Sequence, residues 1–273
     1  MAFIKKQSRT VDVFCFQEVY HSRTHDRPEG FHSRLYTEIA RILPDFRGSF
    51  CTAQEGYTPN QVIDYSIFFG NALFVRRTHP IRKKGHFFIY RHRNALFDDL
   101  PGRKWKGKKA HDPSFALHRA KHFSPLTKRS LPEVLQYITV RQKNGSLLTI
   151  ANVHGIWWPG TKRDTPERIE QSHRIISGLA RLPGAKVICG DFNLLPSAES
   201  VRMIERAGYR NLIKEYGIKD TRGPVNRRKY INERPLQKYA DFAFVSDDVR
   251  VKKFEVPQVS ISDHLPLILT VDS

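Results

Sequence analysis

Residues 134–153 read VLQYITVRQKNGSLLTIANV. Two runs of β-branched and aliphatic residues, 134–141 and 146–153, flank Lys143, Asn144 and Gly145. Asn-Gly supplies the positive φ that a short hairpin turn needs, so the two runs are expected to pair antiparallel. A purely parallel sheet is thereby excluded. Outward from this hairpin, strand-like runs recur at 11–16 (VDVFCF), 66–76 (SIFFGNALFVR, with a break expected at Gly70), 86–90, 185–189, 239–245 and 266–271. Helical periodicity is rarer. Phe31, Leu35, Ile39 and Leu43 share one face of 31–43, and 166–182 opens with Thr165 as N-cap and Pro166 in the first turn. A third helix, 198–207, follows Ser197 as its expected cap. Many strands and few helices imply two packed sheets with helices outside them.

Composition sets the bounds. The chain has 273 residues, of which 40% are hydrophobic and 27% charged, a globular balance that excludes disordered and collagen-like classes. No repeat or linker divides it, so a single domain over 1–273 is expected, with a basic irregular insertion around 94–130 that contains GRKWKGKKA. Lys and Arg number 46 against 27 Asp and Glu, a net charge of +19. Between residues 76 and 129 sixteen Lys and Arg face three Asp, which supplies +13 of that excess. Such clustering favours a polyanionic partner, nucleic acid first, over a merely solvated face. Three widely spaced cysteines exclude a disulfide framework and zinc knuckles, and fit a reducing compartment. The first ten residues lack the apolar core of a signal peptide, and no run reaches the roughly 20 apolar residues of a membrane span. A cytoplasmic monomer is expected.

Polar residues gather where apolar strands end: Gln17 and Glu18, Asn152 and His154, Asp191 and Asn193, Asp241, and Asp263 with His264. Each could cap a turn. Together they supply hard oxygen ligands for Mg²⁺, a carboxylate to orient water, imidazoles for proton transfer and amides for positioning. There is no GxxxxGK[ST] phosphate loop, HExxH zinc site or GxSxG elbow. The helically spaced pairs His21/His25 and His118/His122 lack a third ligand and are read as surface.

FQEV (16–19), NVHG (152–155), GDFN (190–193), YADFAFVS (239–246) and SDHLP (262–266), in this order and at these spacings, resemble the endonuclease/exonuclease/phosphatase superfamily. The resemblance implies a DNase I-like four-layer α/β sandwich, two central mixed β-sheets flanked by helices, with the site at one edge. It implies Glu18 as the main ligand of Mg²⁺ or Mn²⁺, and Asp263 as a second ligand, direct or through water. Asp191 would orient or deprotonate the attacking water, and Asn193 would hold that water or a phosphoryl oxygen. His264 would stabilise the growing negative charge, oriented by Asp241 and kept cationic by it. His154 would serve as acid near the leaving group, and Asn71 would touch the substrate phosphate. Arg168 and Gln171 match an R-x-x-Q signature and are expected to pack and to brace the sheet.

Relatives of this kind open with a strand ending in a metal-ligating Asn, yet only 16 residues precede Gln17. That strand and its Asn are expected to be missing, through a truncated start rather than a substitute segment or a damaged site. Adding it should raise thermal stability and metal affinity. The function expected is a Mg²⁺-dependent phosphodiesterase, a nuclease acting on DNA or RNA. A phosphoesterase for phospholipid or inositol phosphate, and a catalytically weak nucleic-acid-binding protein, remain open.

Overall fold

The computed structural model describes residues 1–22, 32–57, 63–91, 131–229 and 237–272. The basic insertion expected around 94–130 lies outside the described residues, as do His25, His118 and His122. Helix α1 (Ala2–Gln7) leads into β1 (Val13–Ser22), followed by α2 (Leu35–Ile42), β2 (Phe46–Tyr57) and β3 (Ile63–Arg76). These strands form a three-stranded antiparallel sheet of order β1-β3-β2. The second sheet takes β4 (Ile81–Tyr90), β5 (Glu133–Arg141), β6 (Leu147–His154), β7 (Ala185–Asp191), β8 (Tyr209–Asn211) and β9 (Asp241–Ser246), in the order β4-β5-β6-β7-β9-β8. Helices α3 (Pro166–Ala180), α4 (Glu199–Arg206), α5 (Leu212–Glu215) and α6 (Pro224–Lys229) accompany it, and β10 (Val251–Glu255) with β11 (Ile268–Val271) makes a two-stranded ribbon.

Among the described residues only the six-stranded sheet is mixed, through its one parallel pair β6–β7, which α3 crosses over. The smaller sheet is wholly antiparallel because each of its pairs runs in opposite directions. The expected hairpin is β5–β6, with Gly145 at φ +86° and the Asn144 Oδ1 accepting from Ser146 N at 2.9 Å. The break expected at Gly70 is absent, and β3 runs through it. A Cβ at Gly70 would lie 1.9 Å from the Cys51 carbonyl oxygen, so glycine lets β2 approach there.

Alternation along β3 makes the layers. Leu73 and Val75 enter the main core with Ile89, Leu135, Ile138 and Val153 of the larger sheet, while Ala72 and Phe74 face Ile39 and Leu43 on the α2 side. Ile175 and Leu179 of α3, with Val201 and Ile204 of α4, extend the main core into an outer helical layer. The result is helix, sheet, sheet, helix.

Side-chain amides stitch the two sheets. Asn152 Nδ2 donates to the carbonyls of Phe16 (2.9 Å) and Ala72 (3.3 Å), and its Oδ1 accepts from Gln17 Nε2. Asn71 Nδ2 donates to the carbonyls of Val134 (3.1 Å) and Asn152 (3.3 Å). The expectation that Asn71 touches substrate is corrected: it is 0% exposed and braces one sheet on the other.

The Thr165 cap is present, its hydroxyl accepting from Arg168 N at 3.3 Å. Thr165→Ala should cost about 1 kcal/mol, read as a lower urea midpoint at unchanged m-value. Ser197 does not cap α4. Asp164, from the distant segment before α3, accepts from Glu199 N (2.7 Å) and Ser200 N (2.9 Å) instead. No helix among the described residues is long and apolar enough to cross a membrane, and Cys15, Cys51 and Cys189 are free.

Candidate active site

Strand register builds the centre. In the parallel pair β6–β7, His154 lies beside Asp191, and in the antiparallel pair β7–β9, Asp191 lies beside Asp241. Three of the expected site side chains thus stand in a row across three strand ends. Gly190 sets the exit of β7: at φ +137°, a Cβ there would lie 2.0 Å from the Val153 carbonyl oxygen. Only glycine allows that approach. The Asp191 Oδ1 then accepts from Asn193 N at 2.8 Å.

His264 arrives from another part of the chain. Gly223 N donates to Asp263 O (2.8 Å) and Leu265 N to Thr221 O (2.9 Å), tying 221–223 against 263–265. The Thr221 hydroxyl accepts from Ala240 N (3.1 Å) and Asp241 N (3.2 Å), which fastens the same segment to β9. His264 Nδ1 therefore lies 2.9 Å from both Asp241 oxygens, while its Nε2 lies 3.6 Å from Asp191 Oδ2. Arg222 packs on the same imidazole and pairs with Asp263 at 3.3 Å.

Charge follows geometry. Burial opposes the His264 cation, but Asp241 and Asp191 outweigh it, and its pKa is pushed up to about 9. Burial also opposes the Asp191 carboxylate, yet His264, Lys162 and His154 together hold its pKa below the usual value. The sign for stability follows from linkage. A histidine whose pKa rises from 6.5 to about 9 on folding contributes fully below pH 6.5, and its contribution fades as pH climbs through 9. In metal-free buffer the wild-type unfolding free energy, read from urea denaturation, should fall across that window by on the order of 3 kcal/mol for this group. The fall should be smaller in His264→Ala, and equal falls would refute the assignment.

A bulge presents Glu18. Phe16 pairs with Ala72 and Val19 with Gly70, so Gln17 and Glu18 together oppose Asn71, and Glu18 adopts φ +55°. A bulge in an edge strand re-aims the side chain it carries. Gln17 turns inward to Asn152, and the Glu18 carboxylate turns out, 68% exposed. His154, 3% exposed, links the halves, with Nε2 3.6 Å from Glu18 and Nδ1 3.2 Å from the buried Glu133. Burial again opposes its charge, but Glu133, Glu18 and Asp191 push its pKa up to about 10.

The expected site residues stand at this end of the sandwich, Asn71 among them but buried between the sheets opposite the Gln17–Glu18 bulge. Sequence reading missed Glu133, Lys162, Thr221 and Arg222. An acidic residue opening the apolar run EVLQYITV was the visible signal for Glu133, whereas nothing local marked the others. Arg168 and Gln171 are buried, but they brace the segment after β6 rather than a sheet. The Arg168 guanidinium donates to Ile156 O (3.1 Å), Pro159 O (2.7 Å) and Arg163 O (2.6 Å), and Gln171 Oε1 accepts from Ile156 N (2.8 Å).

Hard carboxylate oxygens suit a small divalent cation. Glu18, outward and approached only loosely by His154, fits that role. Ligand atoms of Asp191, Asp241 and His264 also lie within 4.8 Å of one another, the spacing of a cation cage. In that group, however, both Asp241 oxygens already face one imidazole nitrogen. It serves better as an oriented imidazolium beside a carboxylate.

A family model of endonucleases, exonucleases and phosphatases matches residues 2–264. The chain belongs to the endonuclease/exonuclease/phosphatase family. Members of this family are hydrolases of phosphoesters and typically depend on a divalent metal. A curated relative, a UPF0294 protein of Vibrio vulnificus strain YJ016, is 26% identical over 140 residues, 51% of this chain and 45% of that protein. The match thus spans under half of that relative's length. Among solved structures, an endonuclease/exonuclease/phosphatase of Bacteroides vulgatus aligns at TM-score 0.65 and 18% identity, covering 99% of this chain and 87% of its own. A mannosyl-6-phosphatase of Bacteroides thetaiotaomicron aligns at 0.63 and 17%, covering 100% and 90%. The human Nocturnin catalytic domain with bound sulfate aligns at 0.58 and 14%, covering 100% and 87%. At these identities the structural likenesses show a shared fold, the DNase I-like sandwich of this family.

Proposed function

We propose that this protein is a metal-dependent phosphodiesterase that hydrolyses nucleic acid with activated water. One observation carries the reading: His264, held by Asp241, and His154, held by Glu133, stand on either side of the ionised Asp191. A carboxylate base flanked by two protonated imidazoles, one to stabilise charge and one to protonate the leaving group, suits in-line hydrolysis.

Asp191 takes a proton from the attacking water. Asn193 uses its Oδ1 on Lys162 and one amide hydrogen on Gly155 O, so its other amide hydrogen is left to hold that water or a phosphoryl oxygen. His264 meets the charge that grows on phosphorus oxygens, and its bond to Asp241 keeps the ring oriented and protonated. His154 delivers a proton to the leaving oxygen, since its raised pKa keeps the proton in place at neutral pH. Glu18, joined by Asp263 directly or through water, would hold Mg²⁺ or Mn²⁺, which supplies charge neutralisation at the phosphoryl group. The net charge of +19 supports a polyanionic substrate.

The test is Mg²⁺-dependent product release from labelled single-stranded DNA, duplex DNA, RNA and a small generic phosphodiester, in wild type and His264→Ala. Cleavage of polymer by wild type, weakened steeply by salt and lost in the variant, is the expected result. Cleavage of the small ester alone would move the substrate to a non-nucleic phosphoester. Polymer binding without cleavage would make the chain a binding protein and overturn the reading.

A further inference from the structure

Lys162 occupies a position where lysine is costly. It lies between β6 and α3, is 5% exposed, and adopts φ +57°, a left-handed conformation that strains any residue with a Cβ. Structure on both sides holds it there. Leu195 N donates to its carbonyl at 2.9 Å, and Arg168 binds the carbonyls of Pro159 and Arg163 around it. Asp164, two residues on, is spent capping α4. So much bracing around a strained, buried cation points to use of the cation.

The ammonium donates to Asn193 Oδ1 at 2.8 Å and makes no other hydrogen bond among the described residues. An ammonium has three donors, so two remain on a group nearly removed from water. The charges that act on it most are Asp191, Arg222 and Asp241, the residues that surround His264. Its bond to Asn193 also fixes that amide, turning Nδ2 onto Gly155 O at 3.1 Å. Asn193 is itself left-handed, at φ +53°. Two strained residues thus meet through one hydrogen bond at the mouth of the Asp191 carboxylate.

We propose that Lys162 is a substrate-contacting residue whose two unused ammonium hydrogens bind a non-bridging oxygen of a phosphoryl group seated between Asp191, Asn193 and His264. The inference rests on the phosphoester-hydrolase reading and adds a third cation, with Arg222 and His264, around the transferred group. A lysine that merely pins Asn193 would make no difference to a free anion.

Inorganic phosphate is the probe, titrated calorimetrically into the full chain in chelator-treated buffer, alongside steady-state hydrolysis of a generic phosphodiester with Mg²⁺. Lys162→Met removes the charge at nearly constant length. It should weaken phosphate binding by about tenfold or more, as loss of a charge-assisted hydrogen bond does. Its urea midpoint should stay at or above the wild-type value, because a desolvated cation has been removed. Lys162→Gln, which still can donate to Asn193, should show the same loss of affinity and serves if the first variant does not fold. Lys162→Arg should recover part of it. Phosphate affinity in the neutral variants equal to wild type, or no phosphate binding by wild type, overturns the proposal. Phosphate bound through Lys162 by a protein that hydrolyses no phosphoester would fell the hydrolase reading and leave the lysine site standing. Hydrolysis with kcat/KM unchanged in Lys162→Met would do the reverse.

Discussion

Asp191→Asn should lower turnover by about 10³-fold with the fold retained, a loss in the range that removal of a positioned general base produces. The substitution is isosteric, so the Asn193 N–H keeps an acceptor and the strand ends stay in register. What disappears is the charge that lies between three cations. His264 Nε2 is 3.6 Å from this carboxylate, and Lys162 and His154 are the next charges that lower its pKa. Without it, water loses its base, and both histidines lose part of the field that keeps them protonated. The check is steady-state kinetics on whichever phosphodiester wild type cleaves, with circular dichroism to confirm the fold. The loss should fall on kcat rather than KM, because Asp191 acts on water and not on bound substrate. A variant within tenfold of wild type would remove Asp191 from the reaction.

Glu133→Ala should destabilise the protein by about 3–5 kcal/mol, as breaking a buried ion pair from one side does. Glu133 is 1% exposed and His154 3% exposed, so neither can turn to water when its partner is lost. Burial pushes the Glu133 pKa up, and the imidazolium beside it is what opposes that rise. Removing the carboxylate leaves a buried protonated ring offset only by Glu18 and Asp191, or forces it neutral at neutral pH. Urea denaturation measures the cost. Glu133→Leu combined with His154→Phe should recover most of the stability while abolishing proton donation to the leaving group. A single-variant cost under about 1 kcal/mol would mean that the pair is not ionised in the folded protein.

Much of the fold was legible because its signals are local. Alternation in 134–153, the Asn-Gly turn and the Thr165-Pro166 start each depend on residues within a few positions of one another, and each appears where expected. Other elements carried weak local signals. β2, FRGSFCTAQEGY, mixes Gly, Ser and Gln into its alternation because it stands on the outer side of a three-stranded sheet and lies against β3 through bulges. The α4 cap was misplaced because Asp164, more than thirty residues upstream, does the work expected of Ser197.

The same division runs through the site. By itself the sequence determined the family and the layered class, because hydrophobic period and short ordered motifs are properties of neighbouring residues. Tertiary structure alone decided which of the candidate residues come together. Strand register put His154, Asp191 and Asp241 in one row, and a bulge turned Gln17 inward and Glu18 outward. Asn71 has the same motif-like setting as the others, yet the packing of one sheet on the other consumes its amide. Glu133, Lys162 and Arg222 entered the site only through contacts between distant segments. Their sequence neighbours do not reveal them, since what sets these side chains apart is burial beside other charges, and burial is fixed by the fold.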